Sequence, residues 1–478
     1  MRVFLIVAFL FTFFNSVYAN SKLKESYDDN KVKYINLTKG IENLIKETDP
    51  FVNIGVYIQN AKTEEVVFSK NSNRYFVPAS VTKYLPSIVA LNELGSEHSF
   101  LTELFVDIID SSKDIPTADL YVKFNGNPNL TINDLYLLLR SIPKGKYTFR
   151  NVYLDDTMYE LPFYPDTTMI EDLELCYSAP ISPLMLNKNS VKFRITPSEY
   201  NNDAATVFQH NHDFYNFIEA EVESLQNCDT KNSLERNKHK NGYKITGCIN
   251  TNDKPKKMCL AVDSPIEYTS KVVTNILKQQ RVKYTGDVLL AKTPGYATNV
   301  SQHKSKNLEY LLTGGMQLSD NFIMNAIFLN ISADPDTKSW KDAGKNLCAS
   351  LSKILDLDLN DIKLEDGAGM GRNLITPKQV SNILVSSYNT KIKPALFRIL
   401  PVAGKSGTIE QRMFMLKPGT IVRAKTGTSS TVTSLAGYLT IGNNDYVIVV
   451  MINSIAKQRQ AYVDLIDKIY EFASFELS

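Results

Sequence analysis

Five strand-like runs, two near the start of the chain and three near its end, constrain the fold more than anything between them. NIGVYIQN and EEVVFSK alternate apolar and polar residues around the turn-like AKTE, which predicts a β-hairpin. At the far end TIVRAKTG, SLAGYLTIG and YVIVVMINS read as three more strands, the last two joined by the turn NND. A helical pattern precedes the hairpin (Tyr34, Leu37, Ile41, Leu44, Ile45), and AYVDLIDKIYEFASF closes the chain as an amphipathic helix. A small antiparallel sheet built from both ends, with the terminal helices on one face, would make the two ends one domain. The apolar face of the closing helix (Val463, Leu465, Ile466, Ile469, Phe472) then packs on that sheet or, alternatively, lies against a membrane surface.

The texture between about 100 and 290 is different. Short strands and turns (DLYVKFNGNPNL, YTFRNVYLDD, NSVKFRITP, GYKITGCIN) surround one clear helix, INDLYLLLRSI, as expected of β-rich units inserted in a split domain. Helical patterns resume at Lys306 and lead into the final strands.

The first residues, MRVFLIVAFLFTFFNSVYAN, have an early arginine, an apolar run and a small-residue ending at Ala19. That is the layout of a cleavable export signal, too short for a stable membrane span. With 53 basic against 51 acidic side chains, net charge offers no argument for nucleic acid. A local excess of lysine between Lys231 and Lys257 is a solvated surface segment or a contact for an anionic polymer. In an exported chain five cysteines leave one over: Cys228 and Cys248 are the first candidate pair, Cys176 and Cys259 a second, and Cys348 a buried thiol in a helical pattern. His210 and His212, in QHNH, are the nearest approach to a metal motif, with chance the favoured reading over ligation.

In VPASVTKYL, Ser80 and Lys83 stand three apart, so on a helix they project from one face. VPASVTKYLPSIVALNELG reads as one helix ending at Gly95, with Ser80 in its first turn. A serine hydroxyl needs an adjacent base, and a lysine serves only where burial and neighbouring charge lower its pKa. The spacing alone is weak, because it recurs at Ser21, Ser141, Ser301, Ser350 and Ser454. Two further elements follow in order: Ser319-Asp320-Asn321 leading into a helical pattern, and Lys425-Thr426-Gly427-Thr428 at a strand end. Together these three elements are the signature of penicillin-recognising serine enzymes. Ser319 could relay a proton among Lys83, Ser80 and a leaving amine, and Asn321 could orient substrate and hold Lys83. Lys425 could offer positive charge to a substrate carboxylate and disfavour protonation of Lys83, while Gly427 lets substrate approach the strand edge. The backbone N–H groups of Ser80 and Thr428 are the expected oxyanion hole.

The chain resembles the class C low-molecular-mass penicillin-binding proteins, the D-alanyl-D-alanine carboxypeptidase/endopeptidases. GNPNL (126–130), YLDDTMY (153–159), YSAPISPLMLNKNSV (177–191), EDGAGMGRNLITP (365–377), LPVAGKSGTIEQR (400–412) and RAKTGT (423–428) carry the likeness, with the long interval from Ser80 to Ser319. The resemblance implies an α+β fold: a β-lactamase/transpeptidase-like split domain (20–98 and 290–478) after a signal peptide (1–19). Its five-stranded antiparallel sheet and helices receive two inserted β-rich domains (99–195 with 262–289, and 196–261 nested within). It implies an acyl-Ser80 intermediate on peptidoglycan stem peptides, β-lactams as covalent inhibitors, and Lys425, Thr426 and Thr428 around a substrate carboxylate. No metal or organic cofactor is implied, nor nucleic acid as a partner. The implied setting is periplasmic, either soluble or loosely membrane-associated. A β-lactamase or esterase on the same scaffold, or a catalytically quiet wall-binding protein, are the competing readings. Pro86, Gly314-Gly315, Met324-Asn325, Ala368 and Gly371 depart from the family pattern, and Pro86 is expected to disturb the nucleophile's helix.

Overall fold

The computed structural model describes residues 33–143, 145–211, 213–239 and 242–478. The signal-like segment and His212 lie outside them. The chain opens with α1 (Ile35–Thr48) and the hairpin β1 (Asn53–Asn60) and β2 (Val66–Lys70), followed by α2 (Tyr84–Glu93). It continues through β3 (Leu101–Asp110), β4 (Thr117–Phe124), α3 (Ile132–Arg140) and β5 (Thr148–Asp155). Next come β6 (Ser190–Thr196), β7 (Asp203–Ala204), β8 (Thr206–Gln209), β9 (Ile218–Leu225), β10 (Glu235–His239), β11 (Gly242–Asn250) and β12 (Lys256–Ala261). After α4 (Pro265–Gln279), β13 (Val288–Leu290) and β14 (Thr298–Lys304) lie five helices: α5 (Leu308–Gln317), α6 (Asn321–Ser332), α7 (Trp340–Leu355), α8 (Pro377–Tyr388) and α9 (Lys393–Ile399). The chain ends with β15 (Thr420–Thr428), β16 (Val432–Ile441), β17 (Asn444–Asn453) and α10 (Arg459–Glu476).

Both ends meet in one antiparallel sheet of order β15-β16-β17-β1-β2. Strand β17 is covered on both faces, which is why YVIVVMI is an almost unbroken apolar run. Its alternate residues divide between two cores: Val447, Val449 and Met451 face the layer containing α2 and α5 to α9. Ile448, Val450 and Ile452 face α1 and α10. The closing helix buries Leu465, Ile466 and Ile469 completely in that second layer, each such side chain contributing about 1.5–3 kcal/mol. Its apolar face is thus spent on the sheet, and among the described residues no helix is long and apolar enough to cross a membrane.

Three further sheets share a separate apolar core: β13-β5-β4-β3-β14, β12-β6-β8 and β10-β11-β9-β7. Strand β14, beyond the border at 290 expected for the inserted units, pairs antiparallel with β3. Disulfides join Cys176 to Cys259 and Cys228 to Cys248, and Cys348 is a buried free thiol.

Candidate active site

The site forms where the β15 edge, the segment before α2 and the loop before α6 converge. Residues Ala79–Lys83 form a 3-10 turn, and the α-helix begins only at Tyr84. This corrects the single helix expected from Ser80 to Gly95, and it matters chemically. In a 3-10 turn side chains three apart eclipse one another, which stacks Lys83 on Ser80. Lys83 Nζ lies 2.7 Å from Ser80 Oγ, 2.8 Å from Asn321 Oδ1 and 2.6 Å from the Ala368 carbonyl. Pro86 stands third in the α-helix, within its first turn, where a proline ring costs less than in a helix interior.

The backbone around Ser80 is pinned from several sides. Ala79 has φ +47°, a conformation costing a residue with a side chain about 1–3 kcal/mol unless its surroundings impose it. The Asn453 amide bonds both the N–H and the carbonyl of Val77. Two glycines let neighbouring segments touch this turn. A Cβ at Gly427 would lie 2.3 Å from the Pro78 carbonyl, and one at Gly369 only 1.9 Å from that of Ala79. Gly427 is therefore required by the chain's own backbone, in addition to any approach of substrate.

The edge of β15 is less open than the sequence suggests. Residues 401–403 cover its start, with Ala424 N–H donating to the Pro401 carbonyl and Ala403 N–H to that of Val422. At the two-residue period of a strand, Thr426 and Thr428 N–H point out of the same edge as Ala424, and there the edge is uncovered. Thr426 Oγ1 is 2.8 Å from Thr408 Oγ1, a partner the sequence alone did not single out.

Lys425 is fully buried. Its Nζ donates to Ser319 Oγ at 2.9 Å and to the Thr426 carbonyl at 3.0 Å. Ser319 has φ +56° and, among the described residues, makes no hydrogen bond to Lys83 or Ser80. Asn321 Nδ2 donates to the Tyr177 carbonyl at 3.3 Å, leaving one amide hydrogen free of a partner. Asp320 caps α6 through Ile323 N–H and forms an ion pair with Lys188.

Burial sets the electrostatics. It pulls the Lys83 ammonium down to about 7, against the opposing pull of the Asp366 and Asp320 carboxylates. The Lys425 ammonium is lowered as well, by burial and then by repulsion from Lys83. Charge on Lys83 thus disfavours charge on Lys425, while the Asp366 and Asp320 carboxylates favour charge on Lys83. Asp366 acts structurally as well. Its carboxylate accepts backbone N–H groups from Ala368, Gly369, Met370 and Gly371, fixing the loop whose Ala368 carbonyl holds Lys83. Asp366 lies outside the three ordered motifs, although an aspartate before a glycine-rich turn is a recognisable N–H acceptor.

Residues 37–474 match the model of the D-Ala-D-Ala carboxypeptidase 3 (S13) family. The chain belongs to that family. The curated relatives include D-alanyl-D-alanine carboxypeptidase DacB of Haemophilus influenzae, 24% identical over 85% of this chain and 86% of its own. D-alanyl-D-alanine carboxypeptidase of an Actinomadura species is 26% identical over 80% of this chain and 74% of its own. The crystal structure of penicillin binding protein 4 from H. influenzae superposes with a TM-score of 0.79, covering 91% of this chain and 99% of that one at 23% identity. The S13 fold thus extends through the inserted sheets as well as the split domain.

Proposed function

We propose that this S13 protein is an exported serine D-Ala-D-Ala carboxypeptidase, with D,D-endopeptidase activity on cross-links, acting on peptidoglycan stem peptides through an acyl-Ser80 intermediate. The observation that carries the reading is the 2.7 Å contact between Ser80 Oγ and a buried Lys83 whose pKa is drawn down to about 7. Neutral Lys83 Nζ accepts the hydroxyl proton as Ser80 Oγ attacks the carbonyl carbon of the penultimate D-alanine. Ser80 and Thr428 N–H receive the oxyanion, each such donor worth about a hundredfold to a thousandfold in rate. The C–N bond breaks, the leaving amine takes a proton by way of Ser319, and water later hydrolyses the ester.

Because the Lys425 side chain on β15 is fully buried, we assign direct contact with the substrate carboxylate to Thr426 and Thr428, with the Lys425 charge beside them. That carboxylate favours charge on Lys425 over Lys83, so substrate binding itself frees the base. A β-lactam carboxylate presents the same charge. The competence test is digestion of purified peptidoglycan by the mature protein with mass spectrometry of the products. The reading predicts free D-alanine and resolved cross-links; a digest that leaves every stem peptide intact refutes it. Slow release of hydrolysed penicillin, rather than rapid turnover, separates this activity from a β-lactamase.

A further inference from the structure

The sheet β12-β6-β8 has one face in the core of the inserted units and one face in solvent. Register determines what the open face carries. Lys257 pairs with Arg194, and Arg194 with Phe208; Cys259 pairs with Lys192, whose carbonyl accepts the His210 N–H. Directly opposed residues share a face, so Lys192, Arg194, Lys257, His210 and Phe208 stand together. All five side chains are exposed, Phe208 by 51%. None of the described positions of β6, β8 and β12 on this face is acidic, and none of the three long cations forms an ion pair among the described residues. Neighbouring positions are about 5 Å apart across strands and about 6.6 Å apart along one, so these charges overlap in one field.

The face runs into a cavity of about 320 Å³ at the end of β8. Lys188, Lys192 and His210 stand around it, with the rings of Tyr215 and Tyr268 and Ile132 supplying apolar wall. Two covalent or ionic ties connect this region to the active site. Lys188, held with its neighbours Asn187 and Asn189 at positive φ, pairs with Asp320 beside Ser319. Cys259 on the face is bonded to Cys176, next to Tyr177, whose carbonyl receives Asn321.

We infer that this basic face and its cavity form an accessory site for peptidoglycan, binding the carboxylates of stem peptides adjacent to the one being cut. Charge complementarity and continuity with the wall of the active site argue for that occupant. The inference rests on the proposed function for the identity of the polymer. Stem peptides offer several carboxylates in a short span, matching clustered cations, and the cavity's aromatic wall suits the apolar parts of the same ligand. The site holds polymer and adds nothing to bond breaking, so it affects substrates larger than a single peptide.

The test uses binding of Ser80→Ala protein to purified sacculi by sedimentation, with and without the added pair Lys192→Glu and Arg194→Glu. Loss of roughly tenfold or more in affinity, with steep weakening by salt, is expected from reversing two clustered charges. Sacculi stripped of stem peptides should bind no better than the charge-reversed protein binds intact sacculi. In the active enzyme the same pair should raise KM for D-alanine release from sacculi, while acylation by a soluble penicillin keeps its rate and shows the variant folded. Unchanged sacculus binding by the charge-reversed protein overturns the inference, as does equal binding to stripped sacculi. Failure of the enzyme to cut any peptidoglycan would instead strike the proposed function, because binding is read on an inactive protein.

Discussion

Gly315 leaves room for Met324: a Cβ at 315 would sit 2.3 Å from Met324 Sδ. Two departures from the family pattern, a glycine before the Ser-Asp-Asn element and a methionine inside the helix after it, are thus one packing solution. Gly315→Ala should cost about 1–3 kcal/mol by overpacking, lowering the thermal midpoint. Combining it with Met324→Ala should recover part of that loss, and a double-mutant cycle in thermal unfolding measures the coupling. Strict additivity would mean the two positions do not compensate each other.

Lys83 should leave its mark on the pH profile of acylation. Its pKa is drawn down to about 7, so the rate should fall as pH drops below that value and the amine becomes charged. Lys83→Ala should slow acylation by roughly a hundredfold to ten-thousandfold and remove this limb. Stopped-flow acylation by a chromogenic cephalosporin across pH 5 to about 9 reads both effects.

The Asp366 charge favours protonation of Lys83. Asp366→Asn should therefore move the acid limb of the profile to lower pH, while loss of N–H acceptors in the 368–371 loop weakens the protein. A limb that shifts upward would contradict the assigned sign.

At Gly427 the added methyl of an alanine meets the Pro78 carbonyl at 2.3 Å. Gly427→Ala should displace the turn bearing Ser80 and cut acylation far more than it lowers the unfolding midpoint. Pro86→Ala is the contrasting control: in the first turn of α2, it should cost about 0.4–1 kcal/mol through greater freedom of the unfolded chain. Acylation should be nearly unaffected.

The architecture of the split domain was legible because its signals are periodic. Alternation in NIGVYIQN and the apolar run of β17 follow directly from facing one core or two. The ordered motifs likewise marked the elements that converge. Less legible were features set by contacts between distant segments. A 3-10 turn and an α-helical turn share the same Ser-x-x-Lys spacing, so periodicity could not distinguish them at Ala79–Lys83. Cover on the β15 edge by 401–403 arises from tertiary packing without a local pattern. Thr408 and Asp366 are common residue types whose importance lies in what they touch.

The proposed function requires that Ser80 be the residue acylated. Incubation with benzylpenicillin, followed by intact mass and peptide mapping, tests it most directly. One adduct should appear, on the peptide containing Ser80, and it should vanish in Ser80→Ala protein that retains its thermal unfolding transition. An adduct mapped to another serine, or full labelling of the folded Ser80→Ala variant, would contradict the account.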